Sequence, residues 1–273
     1  MKIALFQMTA GIYLAHNADA LVQAIEAAAA AGASMIFTPE MSGLLDSNRQ
    51  RARAHICAEE EDPVLDAVCV AARRAGIWVH LGSLALQGAE KLVNRGFVID
   101  DQGAIKARYD KQHLFDVDLP TGESWRESSS YGAGQRSVIA KTPIGVLGLS
   151  ICYDIRFGGL YQALSNAGAD ILSIPAAFTV PTGEAHWHVL LRARAIENAC
   201  WVVAAAQTGQ HEDGRQTFGH SMVVDPWGEI VLDMGKDPGL GFADISLSRV
   251  QEVRGRIPVI AHRRPIPAVE IAS

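Results

Sequence analysis

Cys152 stands where the apolar run Gly148-Leu149-Ser150-Ile151 stops and Tyr153-Asp154-Ile155-Arg156-Phe157 begins. A Cys at a strand-to-helix turn can present its sulfur at the mouth of a pocket. The next backbone N–H, that of Tyr153, can then face an oxyanion. The plain alternative is a structural thiol, since free Cys is among the most buried residues. The segment alone leaves both readings open.

Two further groups supply what a thiol lacks. Glu40 follows the apolar stretch Ser34-Met35-Ile36-Phe37 and the pair Thr38-Pro39. A carboxylate at the carboxyl end of a strand sits where α/β crevices open. It could take the thiol proton and later deprotonate water. Lys111, in Tyr109-Asp110-Lys111-Gln112-His113, again follows a strand-like run. A fixed ammonium beside the Cys favours thiolate and stabilises a developing oxyanion. Each could instead be a solvated loop charge, and alone Lys111 reads that way. Glu127 could hold Lys111 or a substrate amide, and spacing does not decide.

His186 and His188 raise the question of metal. No H-E-x-x-H, Cys/His cluster or carboxylate at ligand spacing accompanies them, so no metal is expected. Arg192, Arg194 and Glu197 read as a charged helix face. Cys57, Cys69 and Cys200 read as structural. Nucleotide-binding glycine motifs and G-x-S-x-G are absent, which removes support for nucleotide and Ser-hydrolase chemistry.

The elements that must position these groups alternate. Strand patterns over residues 3–7, 34–37, 77–81, 146–151, 171–174 and 201–205 are separated by helical ones. Helices are predicted over 17–31, with Asn17 as N-cap, then 63–75, 160–167 and 189–199. Hairpins are predicted around Asp101-Gln102-Gly103 and Pro226-Trp227-Gly228. This alternation indicates α/β layering, and the hairpins exclude a purely parallel sheet. No composition shift divides the chain, so one domain spanning 1–273 is expected. Its Pro- and Arg-rich tail, from about 254, should lie on a surface or interface.

The bulk properties agree. With 273 residues, 49% hydrophobic and 20% charged, the chain can bury a large core. A formal net charge of −6 offers no footprint for nucleic acid. The N-terminal apolar stretch is too short for a signal peptide, and no membrane-spanning run occurs. Four sparse cysteines suit a reducing compartment. A cytoplasmic protein is expected.

Three separated segments, Phe37-Thr38-Pro39-Glu40, Tyr109-Asp110-Lys111-Gln112-His113-Leu114 and Ile151-Cys152-Tyr153-Asp154-Ile155-Arg156-Phe157, together resemble the nitrilase superfamily of carbon–nitrogen hydrolases. Further segments are similar to its Nit branch: Thr182-Gly183-Glu184-Ala185-His186-Trp187, Leu191-Arg192-Ala193-Arg194, Gly219-His220-Ser221-Met222 and His262-Arg263-Arg264-Pro265. The resemblance implies a four-layer α-β-β-α sandwich that dimerises. It implies Glu40 as base, Lys111 as oxyanion partner, Cys152 as nucleophile and Glu127 as a second pocket carboxylate. It suggests that Arg156, Thr182, His186 and Trp187 shape the substrate pocket, with Arg156 meeting a substrate carboxylate. No metal or organic cofactor is implied. Gly158-Gly159 and Gln162 depart from the common pattern just after the nucleophile, which bears on substrate choice.

The implied reaction is hydrolysis of a small amide through a Cys thioester, with release of ammonia. Deaminated glutathione is the first substrate class implied, and ω-amides of 2-oxo dicarboxylates the second. A nitrilase, an amide transferase and an idle binding protein on the same fold are the competing readings.

Overall fold

The computed structural model describes residues 1–118, 122 and 124–272. Two six-stranded sheets stack face to face. In the first, Lys2–Gln7, Met35–Phe37 and Trp78–Gln87 run parallel. Antiparallel strands extend it on both sides: Gly239–Asp244 beyond Lys2–Gln7, and Leu92–Ile99 with Ile105–Asp110 beyond Trp78–Gln87. The second sheet repeats the plan. Gly145–Leu149, Ile171–Ser173 and Trp201–Ala204 are parallel. Ile139–Thr142, Met222–Val224 and Ile230–Asp233 add antiparallel edges.

Side-chain alternation explains the layering. Successive strand residues point to opposite faces. Ile3, Leu5, Met35 and Phe37 pack into the core shared with the second sheet. Their neighbours Ala4 and Ile36 join a separate core with Leu21, Ile25, Val68 and Ala72. Those four belong to the helices Leu14–Ala30 and Pro63–Ala75, which cover the outer face. Gly158–Asn166 and His188–Asn198 cover the other side through Leu160, Leu164, Leu191 and Ala195. The order is therefore helix, sheet, sheet, helix, as the sequence analysis expected.

Helix Pro63–Ala75 follows its predicted bounds. The Asp62 carboxylate caps Val64 and Leu65, and Gly76 ends it at φ 62°. The first helix differs. It starts at Leu14, and Asn17 lies inside it, buried. The Asn17 side chain bonds Gly11 and the Gly43 carbonyl instead of capping. The strand after Gly76 is twice the expected length, because Leu92–Ile99 pairs along it to Gln87. The tail also begins later than expected. Arg254 sits in the helix Leu247–Arg256 and pairs with Asp170. Beyond it, Arg263 donates to the Gln162 carbonyl, Asn166 and Asn198, fastening the tail to two helices.

Candidate active site

Both sheets direct the carboxyl ends of their central strands to one crevice, where ligands of α/β folds bind. Glu40 follows Met35–Phe37 and Lys111 follows Ile105–Asp110. Cys152 follows Gly145–Leu149, and Ala177 lies beyond Ile171–Ser173. The structure brings Glu40, Lys111, Glu127 and Cys152 together at one end of a cavity of about 660 Å³.

Lys111 is 3% exposed and Glu40 4%. Charges this deep cost several kcal/mol each unless paired and hydrogen-bonded. Here they are. Lys111 Nζ donates to Glu40 Oε1 at 2.9 Å and to Glu127 Oε2 at 2.9 Å. Glu40 also accepts from Asn94 Nδ2 at 2.9 Å and from the Ala177 N–H at 3.0 Å. Glu127 takes the Phe115 N–H at 2.7 Å.

Protonation follows from these contacts. Burial alone would raise the Glu40 carboxyl, but the Lys111 charge and the hydrogen bonds hold it below its ordinary value. Burial would also lower Lys111, and Glu127 and Glu40 outweigh that, so the ammonium persists. Cys152 goes the other way. Burial, then the Glu40 charge, push the thiol well above its ordinary value despite Lys111. Lys111 favours the thiolate, as expected, but burial and the Glu40 charge outweigh it, and Cys152 rests as a thiol beside ionised Glu40.

The backbone at Cys152 is strained. Its φ is 47°, a left-handed conformation that non-glycine residues seldom adopt. Its N–H bonds the Pro175 carbonyl at 2.9 Å, across to the neighbouring strand. Asp154 holds the turn from beneath. Its fully buried carboxylate accepts the Ile151 N–H at 2.9 Å, the Tyr109 hydroxyl at 2.8 Å and the His113 N–H at 3.0 Å. Asp154 thus ties the Cys152 turn to the segment carrying Lys111. Sequence reasoning missed both Asp154 and Asn94. Asp154 lies within the quoted Cys motif, so the signal was present. Asn94 carries none, since a strand Asn is unremarkable until the strand is placed.

The remaining expected residues divide. Tyr153 and Thr182 line the cavity. Trp187 is buried behind it, its ring tilted against the lining residue Phe178 at 4.8 Å between centroids, and its Nε1 donates to the His220 carbonyl. His186 is exposed. The Arg156 guanidinium lies 3.2 Å from His186 Nδ1 and over the lining rings of Tyr153 and Phe178, 5.9 and 5.6 Å from their centroids. His188 also turns away and bonds Asp233 at 2.9 Å, which His220 shares. The other cationic lining residues, Arg49, Arg53, Arg126 and Arg215, were not foreseen. They come from the short helix Arg49–Arg53, the hairpin strand Ser124–Arg126 and the loop before Gln216–Phe218.

Two parallel-centred sheets with a Cys, a Lys and paired carboxylates at their shared crevice define a hydrolase of carbon–nitrogen bonds. The chain belongs to the carbon–nitrogen hydrolase family, whose sequence signature matches residues 2–255. It is 41% identical to the deaminated glutathione amidase of Yersinia enterocolitica over 270 residues, covering 96% of this chain and 93% of that one. The crystal structure of the NitFhit protein of C. elegans superposes with a TM-score of 0.89 at 41% identity, over 96% of this chain. The chain spans 65% of that longer protein. A mutant of an amidase from Nesterenkonia sp. AN1 superposes with a TM-score of 0.79 at 27% identity, covering 94% of this chain and 98% of that one. That structure shows the result of Michael addition of acrylamide at its active-site cysteine. The family and the amidase-named relatives place this chain among amidases.

Proposed function

We propose that this chain hydrolyses deaminated glutathione, with Cys152 as nucleophile, Glu40 as general base and Lys111 as oxyanion partner. The observation that carries the reading is the buried hydrogen-bonded cluster of Glu40, Lys111 and Glu127 against the Cys152 thiol. Cys152 Sγ attacks the amide carbon as its proton passes to Glu40. Lys111 Nζ and the Tyr153 N–H stabilise the oxyanion. The C–N bond then breaks, and Glu40 returns the proton to the departing amine. Water, deprotonated by Glu40, attacks the thioester and frees the carboxylate and the thiol. Glu127 holds Lys111 in place.

Both amide bonds of deaminated glutathione are secondary, so its cleavage frees an amine where an ω-amide frees ammonia. The ammonia expected from the sequence therefore applies only to the second substrate class. The cavity volume of about 660 Å³ is in the range of sites for drug-sized ligands and favours the tripeptide-sized substrate.

Other parts of the reading follow from composition and surface. Four unpaired cysteines suit a cytoplasmic location. Among the described residues no helix is long and apolar enough to cross a membrane. Exposed Val189, Ile196, Ile230 and Val231 suit a homodimer interface, which light scattering tests. The domain is taken as single, with the tail beyond Arg256 contributing to that interface.

The test is turnover of deaminated glutathione and α-ketoglutaramate by purified wild type and Cys152→Ala, with products resolved by mass spectrometry. Cys152-dependent release of cysteinylglycine supports the reading. Preference for α-ketoglutaramate moves the assignment to an omega-amidase, and cleavage of neither removes both.

A further inference from the structure

The cavity lining carries cationic side chains whose donors are only partly engaged among the described residues. Trp125 lines the same cavity. The Arg215 guanidinium lies over the Trp125 ring, 5.1 Å from its centroid. Only its Nε is engaged, at 2.8 Å from Asp213 Oδ2, which leaves its terminal nitrogens open among the described residues. Arg49 and Arg53 line the same cavity. Neither has an ion-pair partner among the described residues, and Arg49 donates only to the Arg126 carbonyl at 3.3 Å.

Resting on the amidase reading above, we infer that the Arg215 guanidinium, seated on the Trp125 ring, forms a carboxylate subsite for the end of the substrate remote from the scissile amide, with Arg49 and Arg53 adding charge at the mouth. The chemistry fits. A guanidinium engages a carboxylate through two parallel N–H bonds. The Trp125 ring beneath Arg215 restricts the guanidinium before binding, so less freedom is lost on binding. A tripeptide-sized amide acylating Cys152 has its terminal carboxylate at its far end. This subsite is distinct from Arg156, whose guanidinium lies over the lining rings of Tyr153 and Phe178.

The experiment measures binding, so it does not depend on turnover. Deaminated glutathione and its C-terminal glycine amide are titrated calorimetrically into Cys152→Ala. The free carboxylate should bind roughly ten- to a hundredfold more tightly, as expected for a charge-assisted hydrogen-bonded pair. Adding Arg215→Gln should cut that ratio severalfold. An undiminished ratio in that double variant overturns the inference. So does equal binding of acid and amide, or a ratio that collapses only with Arg156→Gln. Wild-type turnover is assayed alongside. An inactive wild type whose Cys152→Ala variant still prefers the acid would sink the substrate assignment and leave the subsite standing.

Discussion

At the inner end of the cavity each charged group is hydrogen-bonded. Lys111 lies between Glu40 and Glu127, Asn94 donates to both carboxylates, and Asp154 meets Ile151, Tyr109 and His113. At the outer end Arg215 uses one side-chain nitrogen, and Arg53 has no carboxylate partner among the described residues. Depth explains the difference. A buried charge that loses its partner costs about 3–5 kcal/mol, whereas exposed pairs contribute about 0–1 kcal/mol. The inner end is preorganised for a reaction. The outer end keeps donors in reserve for a ligand.

Breaking the inner end should have the largest effect. Glu40→Gln keeps the shape but loses the base, and turnover of deaminated glutathione should fall at least a hundredfold by steady-state assay. Lys111→Met leaves Glu40 and Glu127 as unneutralised buried carboxylates. Urea denaturation should show a loss of about 3–5 kcal/mol, with activity abolished. Asp154→Asn weakens the bonds that join the Cys152 turn to Tyr109 and His113. A loss of about 1–3 kcal/mol and a lower kcat are expected.

Acidity tests the buried layer between the sheets. His80 faces Ser173 of the opposite sheet, and burial pushes its imidazole down to about 3 from 6.5. The unfolded chain therefore binds a proton between those values that the folded chain refuses. Stability contributed by neutral His80 is complete above pH 6.5 and declines by about 1.4 kcal/mol per unit as pH falls towards 3. Urea midpoints against pH should show that slope, and replacing His80 with Phe should flatten it. The smallest effect belongs to the outer rim. Arg126→Gln removes an ion pair with Asp118, which is 72% exposed, and should leave the urea midpoint essentially unchanged.

The two ends were also unequally legible. Glu40, Lys111 and Cys152 each follow a strand, and strand ends are visible in hydrophobic patterning. The layered fold was visible for the same reason. Trp125, Arg215 and Arg49 sit on a hairpin, a loop and a five-residue helix, none of which carries a periodic signal. Their meeting is a product of tertiary structure alone. Arg156 lies four residues after Cys152 in the motif, and the turn through Asp154 and Ile155 sets its guanidinium beside His186 and over the lining rings of Tyr153 and Phe178. Asn17 was misread as a cap because its polar side chain suited that role. Its actual partners, Gly11 and Gly43, lie on loops whose approach the local sequence does not encode.

The most direct test of the account is rapid-quench mass spectrometry of the wild-type protein mixed with deaminated glutathione. The account predicts a transient acyl adduct confined to the peptide containing Cys152, formed and lost at rates that accommodate turnover. Turnover without that adduct, or retained by Cys152→Ala, would contradict it.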